Sequence, residues 1–201
     1  MGSAVYNPIV PCVLPFPEDG MYPGRLIRIR GSTPPGAKRF VINLQYGPNT
    51  SDPRDHIALH LNPRFLENCV VLNQLAHKSW GLEQRVAGMP IKRGAAFEAL
   101  ILCESNYFKI AFNGVHFYEF PHWLHYQHIT HLTVDGDVTM QFIGFESTRT
   151  ATETSQSGKQ PSNMANGMDA SHNKNTINGR RGFVGADVSK FAKDFWRFGK
   201  K

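Results

Sequence analysis

Between residues 60 and 85 the chain gathers groups that exchange hydrogen bonds without any obvious reactive centre: His60, Asn62, Arg64, Asn73, Trp80, Glu83 and Arg85. An imidazole, two amides, two guanidiniums and a carboxylate can all bind hydroxyls, which both donate and accept. Arg64 can donate through a planar fork, Glu83 can accept and brace arginines, and the Trp80 indole can lie against the C–H face of a pyranose ring. The set lacks a phosphate-binding loop, a nucleophile motif or a metal-ligand spacing, so its chemistry suits a sugar. An axial hydroxyl such as galactose O4 leaves one ring face apolar and moves a polar group toward His60, Asn62 and Arg64. An epimer without it would leave buried donors unpaired, at roughly 1–3 kcal/mol per group.

Those residues must be carried by strands. Across His56 to Phe65, period-two alternation puts His60, Asn62 and Arg64 on one face and Leu59, Leu61 and Phe65 on the other. Pro63 has no amide proton, so an edge or a bulge is expected there. The run Val70-Val71-Leu72-Asn73 offers a neighbouring strand, and Glu83 and Arg85 share a face at spacing two. The same alternation recurs in Leu26-Ile27-Arg28-Ile29-Arg30, in Phe40-Val41-Ile42-Asn43-Leu44 and from Ala96 to Cys103. Asn113-Gly114 and Asp135-Gly136 both predict tight hairpins. Roughly ten or more strands without intervening helices predict an all-β, antiparallel domain of two sheets packed face to face over about residues 10–147.

The 201 residues allow one domain with an appendage, and charge separates the two. Residues 1–147 hold 12 basic and 12 acidic side chains, whereas 148–201 hold 10 and 4, so the net +6 belongs to the tail. A basic nucleic-acid-binding domain is disfavoured, and no nucleic-acid partner is expected. No run of about 18 or more apolar residues exists to span a bilayer. Met1 to Pro17 carries four prolines and no basic residue, unlike a secretory signal peptide, so a soluble, cytosolically made protein is expected. Cys12, Cys69 and Cys103 are odd in number and widely spaced, which predicts reduced thiols.

After Glu146 the composition shifts to Ser, Thr, Asn, Gly and Gln, predicting a flexible linker over 148–182. Within 183–201, Val184, Val188, Phe191, Phe195 and Phe198 recur at spacings of four, three, four and three, with Lys190, Lys193 and Arg197 elsewhere around the helix. That pattern predicts a short basic amphipathic helix. Its aromatics would dock on the same domain or on nothing, or else meet a membrane surface or a partner groove.

The ordered run His60-Leu61-Asn62-Pro63-Arg64-Phe65, then Val70-Val71-Leu72-Asn73 and Trp80-Gly81-Leu82-Glu83-Gln84-Arg85, resembles the carbohydrate-recognition signature of galectins, the β-galactoside-binding lectins. The resemblance extends to Val10–Pro17, to Phe112-Asn113-Gly114 and to Ile129 through Val138, and reaches none of the tail. It implies a jelly-roll sandwich with a shallow groove on one sheet that binds galactose without calcium or any cofactor. By that resemblance His60, Asn62 and Arg64 would hydrogen-bond galactose O4, Asn73 and Glu83 would engage O6, and Trp80 would stack. Arg64, Glu83 and Arg85 would reach the neighbouring sugar, and Glu67 would brace an arginine. The chain departs from the family in its short Arg64-to-Asn73 connection and in the insertion Pro48–Pro53, where preference for longer glycans would be set. The family's usual settings are cytoplasm and, by non-classical secretion, the extracellular space, with roles in cell adhesion, innate recognition and glycoprotein cross-linking.

Other chemistries fit less well. A glycosidase would need paired carboxylates, and Glu67 and Glu83 are the only obvious candidates. A carboxylate between Arg64 and Arg85 should stay ionised and fail as a general acid, so no enzyme is expected. His122, His125, His128 and His131 tempt a metal reading, but on a strand positions three apart face opposite sides. Asn49-Thr50-Ser51 matches a glycosylation acceptor that a chain lacking a leader would not present to the transferase. A single such domain would bind a disaccharide in the mM to tens of μM range, roughly −4 to −7 kcal/mol. Cross-linking would then need weak self-association or the terminal segment.

Overall fold

The computed structural model describes residues 3–148, so the expected linker over 148–182 and amphipathic tail over 183–201 lie outside the described residues, apart from Thr148. Thirteen strands follow in chain order: β1 (Ser3–Tyr6), β2 (Cys12–Pro15), β3 (Arg25–Ser32), β4 (Phe40–Gln45), β5 (Ile57–Arg64), β6 (Cys69–Ala76) and β7 (Ser79–Trp80). They continue with β8 (Gln84–Ala87), β9 (Ala96–Cys103), β10 (Tyr107–Phe112), β11 (Val115–Pro121), β12 (His131–Gly136) and β13 (Thr139–Ser147). All ladders are antiparallel. One sheet runs β1-β13-β3-β9-β10-β11, and the other runs β2-β12-β4-β5-β6, with β7 and β8 both pairing the far side of β6. The expected two-sheet jelly-roll sandwich is the architecture observed.

Alternation explains why the sheets face each other. Ile27, Ile29, Phe97, Ala99, Ile101, Phe108, Ile110, Ile143 and Phe145 point inward from the first sheet, and Phe40, Ile42, Leu44, Leu59, Leu61, Val70, Leu72, Leu132 and Val134 from the second. These form one continuous core in which Phe40 stacks on Phe97 at 5.4 Å between centroids. Burying each of the larger of these side chains contributes about 1.5–3 kcal/mol.

Four features differ from the sequence expectations. Strand β1, ahead of the expected start at residue 10, pairs Ser3–Tyr6 with β13. A 3-10 turn at Tyr126–His128 is the one helical element among the described residues. Asn113-Gly114 makes its hairpin, both residues at positive φ (50° and 78°). Asp135-Gly136 does not: β12 and β13 lie in different sheets, so this turn is a crossover over the end of the sandwich. Gly136 is required there, since φ is 100° and a Cβ would meet the Arg39 carbonyl oxygen and the Phe40 Cα at 2.7 Å.

Pro63 is the fourth. Strand β5 is interior rather than an edge, and its register shift toward β6 falls between Ile57 and His60, while Pro63 pairs Val70 without disturbance. The interruption lies on the β4 side, where the ladder stops at Ile42–Leu61 and is followed only by an isolated Arg39–Arg64 bridge. Pro63 cannot donate to Phe40 opposite it; the side-chain Nδ2 of Asn62 donates to the Phe40 carbonyl instead.

Candidate functional site

On the outward side of the second sheet, register alone aligns four polar residues: Thr133 on β12 opposes Asn43 on β4, Asn43 opposes His60 on β5, and His60 opposes Asn73 on β6. This row floors a groove of about 740 Å³ that reaches from Trp80 and Glu83 across the sheet to Cys12 and Val13. Asn43, Asn73 and Thr133 are 7%, 3% and 3% exposed, so their polar atoms must be satisfied within the protein or by a ligand.

They are satisfied in a directed chain. The Asn43 amide donates to Thr133 Oγ1 at 3.0 Å, which leaves its Oδ1 to accept from His60 Nδ1 at 2.7 Å. His60 therefore carries its proton on Nδ1 and presents Nε2 as an acceptor. Burial, reinforced by the Arg64 guanidinium, lowers the His60 pKa to about 4, so the ring is neutral at physiological pH. Its ring meets the edge of Trp80 at 4.9 Å between centroids and 66° between planes. Trp80 sits on the two-residue strand β7 and remains 46% exposed, a flat apolar surface at the groove wall.

Beside this pair lies a charge network. Arg64 Nε donates to Asn62 Oδ1 at 2.7 Å and Nη2 to Glu83 Oε1 at 2.9 Å, while Nη1 stands 3.6 Å from Glu67. Arg85 donates to the other Glu83 oxygen at 2.7 Å and forms a close ion pair with Glu67. Hydrogen bonds from Arg85 first, and then Arg64, hold both carboxyls below the usual carboxylate range. Neither can supply a proton at neutral pH. The short turn after β5, where the Glu67 N–H bonds the Arg64 carbonyl at 3.2 Å, brings Glu67 into this network.

The eight residues singled out in the sequence thus adjoin one another on β5, β6, β7, β8 and the turns between them. Two are almost fully enclosed. Asn62 is 1% exposed, with Nδ2 on Phe40 and Oδ1 on Arg64, so one N–H is left to give. Asn73 donates to the Gly81 carbonyl at 3.0 Å and accepts from the Gln74 N–H at 2.9 Å. A Cβ at Gly81 would stand 2.2 Å from Gln74 Nε2 and 3.0 Å from Asn73 Oδ1, so this glycine lets the Trp80 strand close onto β6.

Sequence reasoning missed Asn43, Gln45 and Thr133, whose signal was the polar side of the Val41-Asn43-Gln45 and His131-Thr133-Asp135 alternations. It also missed Arg54, which lines the groove with Thr50. The insertion Pro48–Pro53 is tied down by Asp55, which accepts the Asn49 N–H at 2.8 Å, and by Arg54, whose Nε donates to the Thr50 carbonyl at 2.7 Å. Of the histidines considered for metal binding, His122 bonds the Glu104 carbonyl and His131 the Thr130 hydroxyl. Among the described residues no group of three or more His, Cys, Asp or Glu is arranged to hold a metal ion.

Residues 11–145 match the family described as galactoside-binding lectin. The chain belongs to the galectins. It is 41% identical over 141 residues to human galectin-4, covering 70% of this chain and 42% of that protein, and 38% identical over 144 residues to rat galectin-8, covering 71% and 45%. Human galectin-7 is 37% identical over 134 residues, 67% of this chain and 96% of that one. This galectin therefore spans less than half the length of the galectin-4 and galectin-8 relatives. The crystal structure of a Caenorhabditis elegans galectin, LEC-6, superposes with a TM-score of 0.62 at 26% identity, covering 71% of this galectin and 95% of that chain. Galectins are carbohydrate-binding lectins and not enzymes.

Proposed function

We propose that the groove binds β-galactoside glycans without calcium and transforms none of them. The observation that carries the reading is the pairing of a half-exposed indole with a half-buried imidazole 4.9 Å away, flanked by the Arg64–Glu83–Arg85 network. Galactose would lay its apolar face on Trp80 while its axial O4 hydroxyl donates to His60 Nε2 and accepts from Arg64 and the remaining Asn62 N–H. Glu83 and Asn73 would meet O6, and Arg64, Glu83 and Arg85 would serve the second sugar, with Glu67 holding Arg85 in place. Charged groups that already satisfy one another need no rearrangement to receive hydroxyls, which limits the ordering cost of binding.

Titration calorimetry tests this reading with lactose, with cellobiose as the epimeric control, in buffer containing EDTA. Lactose should bind in the mM to tens of μM range with cellobiose silent. Equal heats for both sugars, or loss of lactose binding with EDTA, would sink it. A chromogenic galactoside should remain intact under the same conditions. Partners would be galactose-bearing glycoproteins or glycolipids, met in the cytoplasm or, after non-classical export, outside the cell. Cross-linking would require weak self-association. The tail-driven alternative, contact with a membrane or a protein through residues 183–201, predicts that deleting 148–201 spares lactose affinity and lowers avidity for anionic vesicles.

A further inference from the structure

The first sheet has an outward side as well, and it is not the water-facing polar surface expected of an antiparallel sandwich. Leu26, Leu100, Leu102 and Ala111 form an apolar cluster separate from the core. Register explains the cluster: Leu26 opposes Leu102, Leu102 opposes Lys109, and Leu100 lies between Arg28 and Ala111. Leu100 is 4% exposed, Ala111 0% and even Lys109 only 7%. The described strands all belong to the two sheets, and none of them is layered over this side. At the margin, burial pushes the Glu104 carboxyl above its ordinary range. These are the marks of a covered face.

The segment to cover it is in the same chain. Strand β13 belongs to this sheet, Glu146 opposes Leu26, and Thr148 donates to the Gly24 carbonyl at 2.8 Å, so the described chain ends beside the apolar strip. The 35 residues between Thr148 and Val184 span roughly 30 Å even as a random coil. The strip lies only one to three strand spacings from β13, each about 4.8 Å. Val184, Val188, Phe191, Phe195 and Phe198 supply apolar groups at recurring intervals, with Lys190, Lys193, Arg197, Lys200 and Lys201 among and after them. Glu104 and Glu119 edge the strip, while Glu98 and Glu146 beside it are already paired with Arg28 and Arg30.

We infer that residues 184–198 dock within the same chain on the outward strip of the first sheet, seating phenylalanine and valine side chains on Leu26, Leu100 and Leu102. The tether makes the contact intramolecular, with an effective concentration in the mM range, so even a weak pairing is occupied. The inference stands apart from the sugar-binding reading, because it concerns the opposite face of the sandwich.

Methyl NMR on the full chain tests it, comparing wild type with the triple variant Phe191→Ser, Phe195→Ser, Phe198→Ser, which leaves the sandwich untouched. The Leu26, Leu100 and Leu102 methyl resonances should shift, and their relaxation by a soluble paramagnetic probe should rise severalfold. Leu59, Leu61 and Leu72 in the core should not change. Identical shifts and relaxation in both chains overturn the inference, as does a perturbation confined to the exposed methyls of Val13 or Val115. Shifts that grow with protein concentration assign the face to a second copy. Shifts that appear only with anionic phospholipid vesicles assign the segment to a membrane. Either result also overturns it.

Discussion

Each outer face of the sandwich carries an arginine flanked by two carboxylates, yet only one of them resembles a binding site. On the first sheet Arg28 bonds Glu146 at 2.8 Å and Glu98 at 3.1 Å, and Arg30 joins Glu98 at 2.8 Å. On the second, Arg64 and Arg85 share Glu83 and Glu67. The surroundings separate them: Leu26, Leu100 and Gly144 border Arg28, whereas Arg64 stands next to a polar groove floor, a neutral imidazole and an exposed indole. On the proposed reading, a guanidinium–carboxylate cluster alone does not make a sugar site. It needs an apolar platform on one side and directional acceptors on the other.

The largest effect that could break this contrast comes from Arg64→Ala, which removes charge-assisted donors worth about 1.5–3 kcal/mol each and should weaken lactose roughly 100-fold by calorimetry. Arg28→Ala should leave lactose affinity unchanged, and a comparable loss from both variants would erase the distinction. Next in size, Trp80→Ala should cost about tenfold, since ring-face contacts are worth about 0.5–1.5 kcal/mol. In wild type, lactose should also perturb indole fluorescence.

A pH profile sharpens the comparison further. Because His60 is held near 4, well below the ordinary imidazole value, the unfolded chain binds more protons than the folded one between about 4 and 6.5. Its contribution is fully present above that window and falls by roughly 3 kcal/mol as pH drops through it, which urea unfolding at pH 7 and 5 would register in part. His60→Gln should flatten that part of the slope. Lactose affinity in wild type should hold to about pH 5 and then fall, as Nε2 turns from acceptor to donor. The smallest change is expected from Glu67→Gln, roughly two- to fivefold in lactose affinity, because an exposed ion pair is screened by solvent and Glu83 still holds Arg85.

Much of this was legible beforehand because strand formation and side-chain facing are local. Phe40-Val41-Ile42-Asn43-Leu44 and Ile57–Arg64 declare their inward positions by alternation, and the order of His60, Asn62, Arg64, Asn73, Trp80, Glu83 and Arg85 carried the family resemblance. What could not be read depends on which strand lies next to which. Asp135-Gly136 has hairpin chemistry, but sheet membership is decided by β12 pairing β2 and β4 while β13 pairs β1 and β3. Asn43 and Thr133 look like ordinary surface residues until register sets them in line with His60. Pro63 announced a disturbance without saying on which side it would fall.

That proline has a reach beyond its own position. By withholding one main-chain proton it frees an oxygen of Phe40 that Asn62 captures, and the captured amide in turn aims Arg64. The orientation of the Arg64 guanidinium is thus inherited from a vacancy in the β4–β5 weave, so a substitution at residue 63 that never reaches the groove would still shift the cation at its wall.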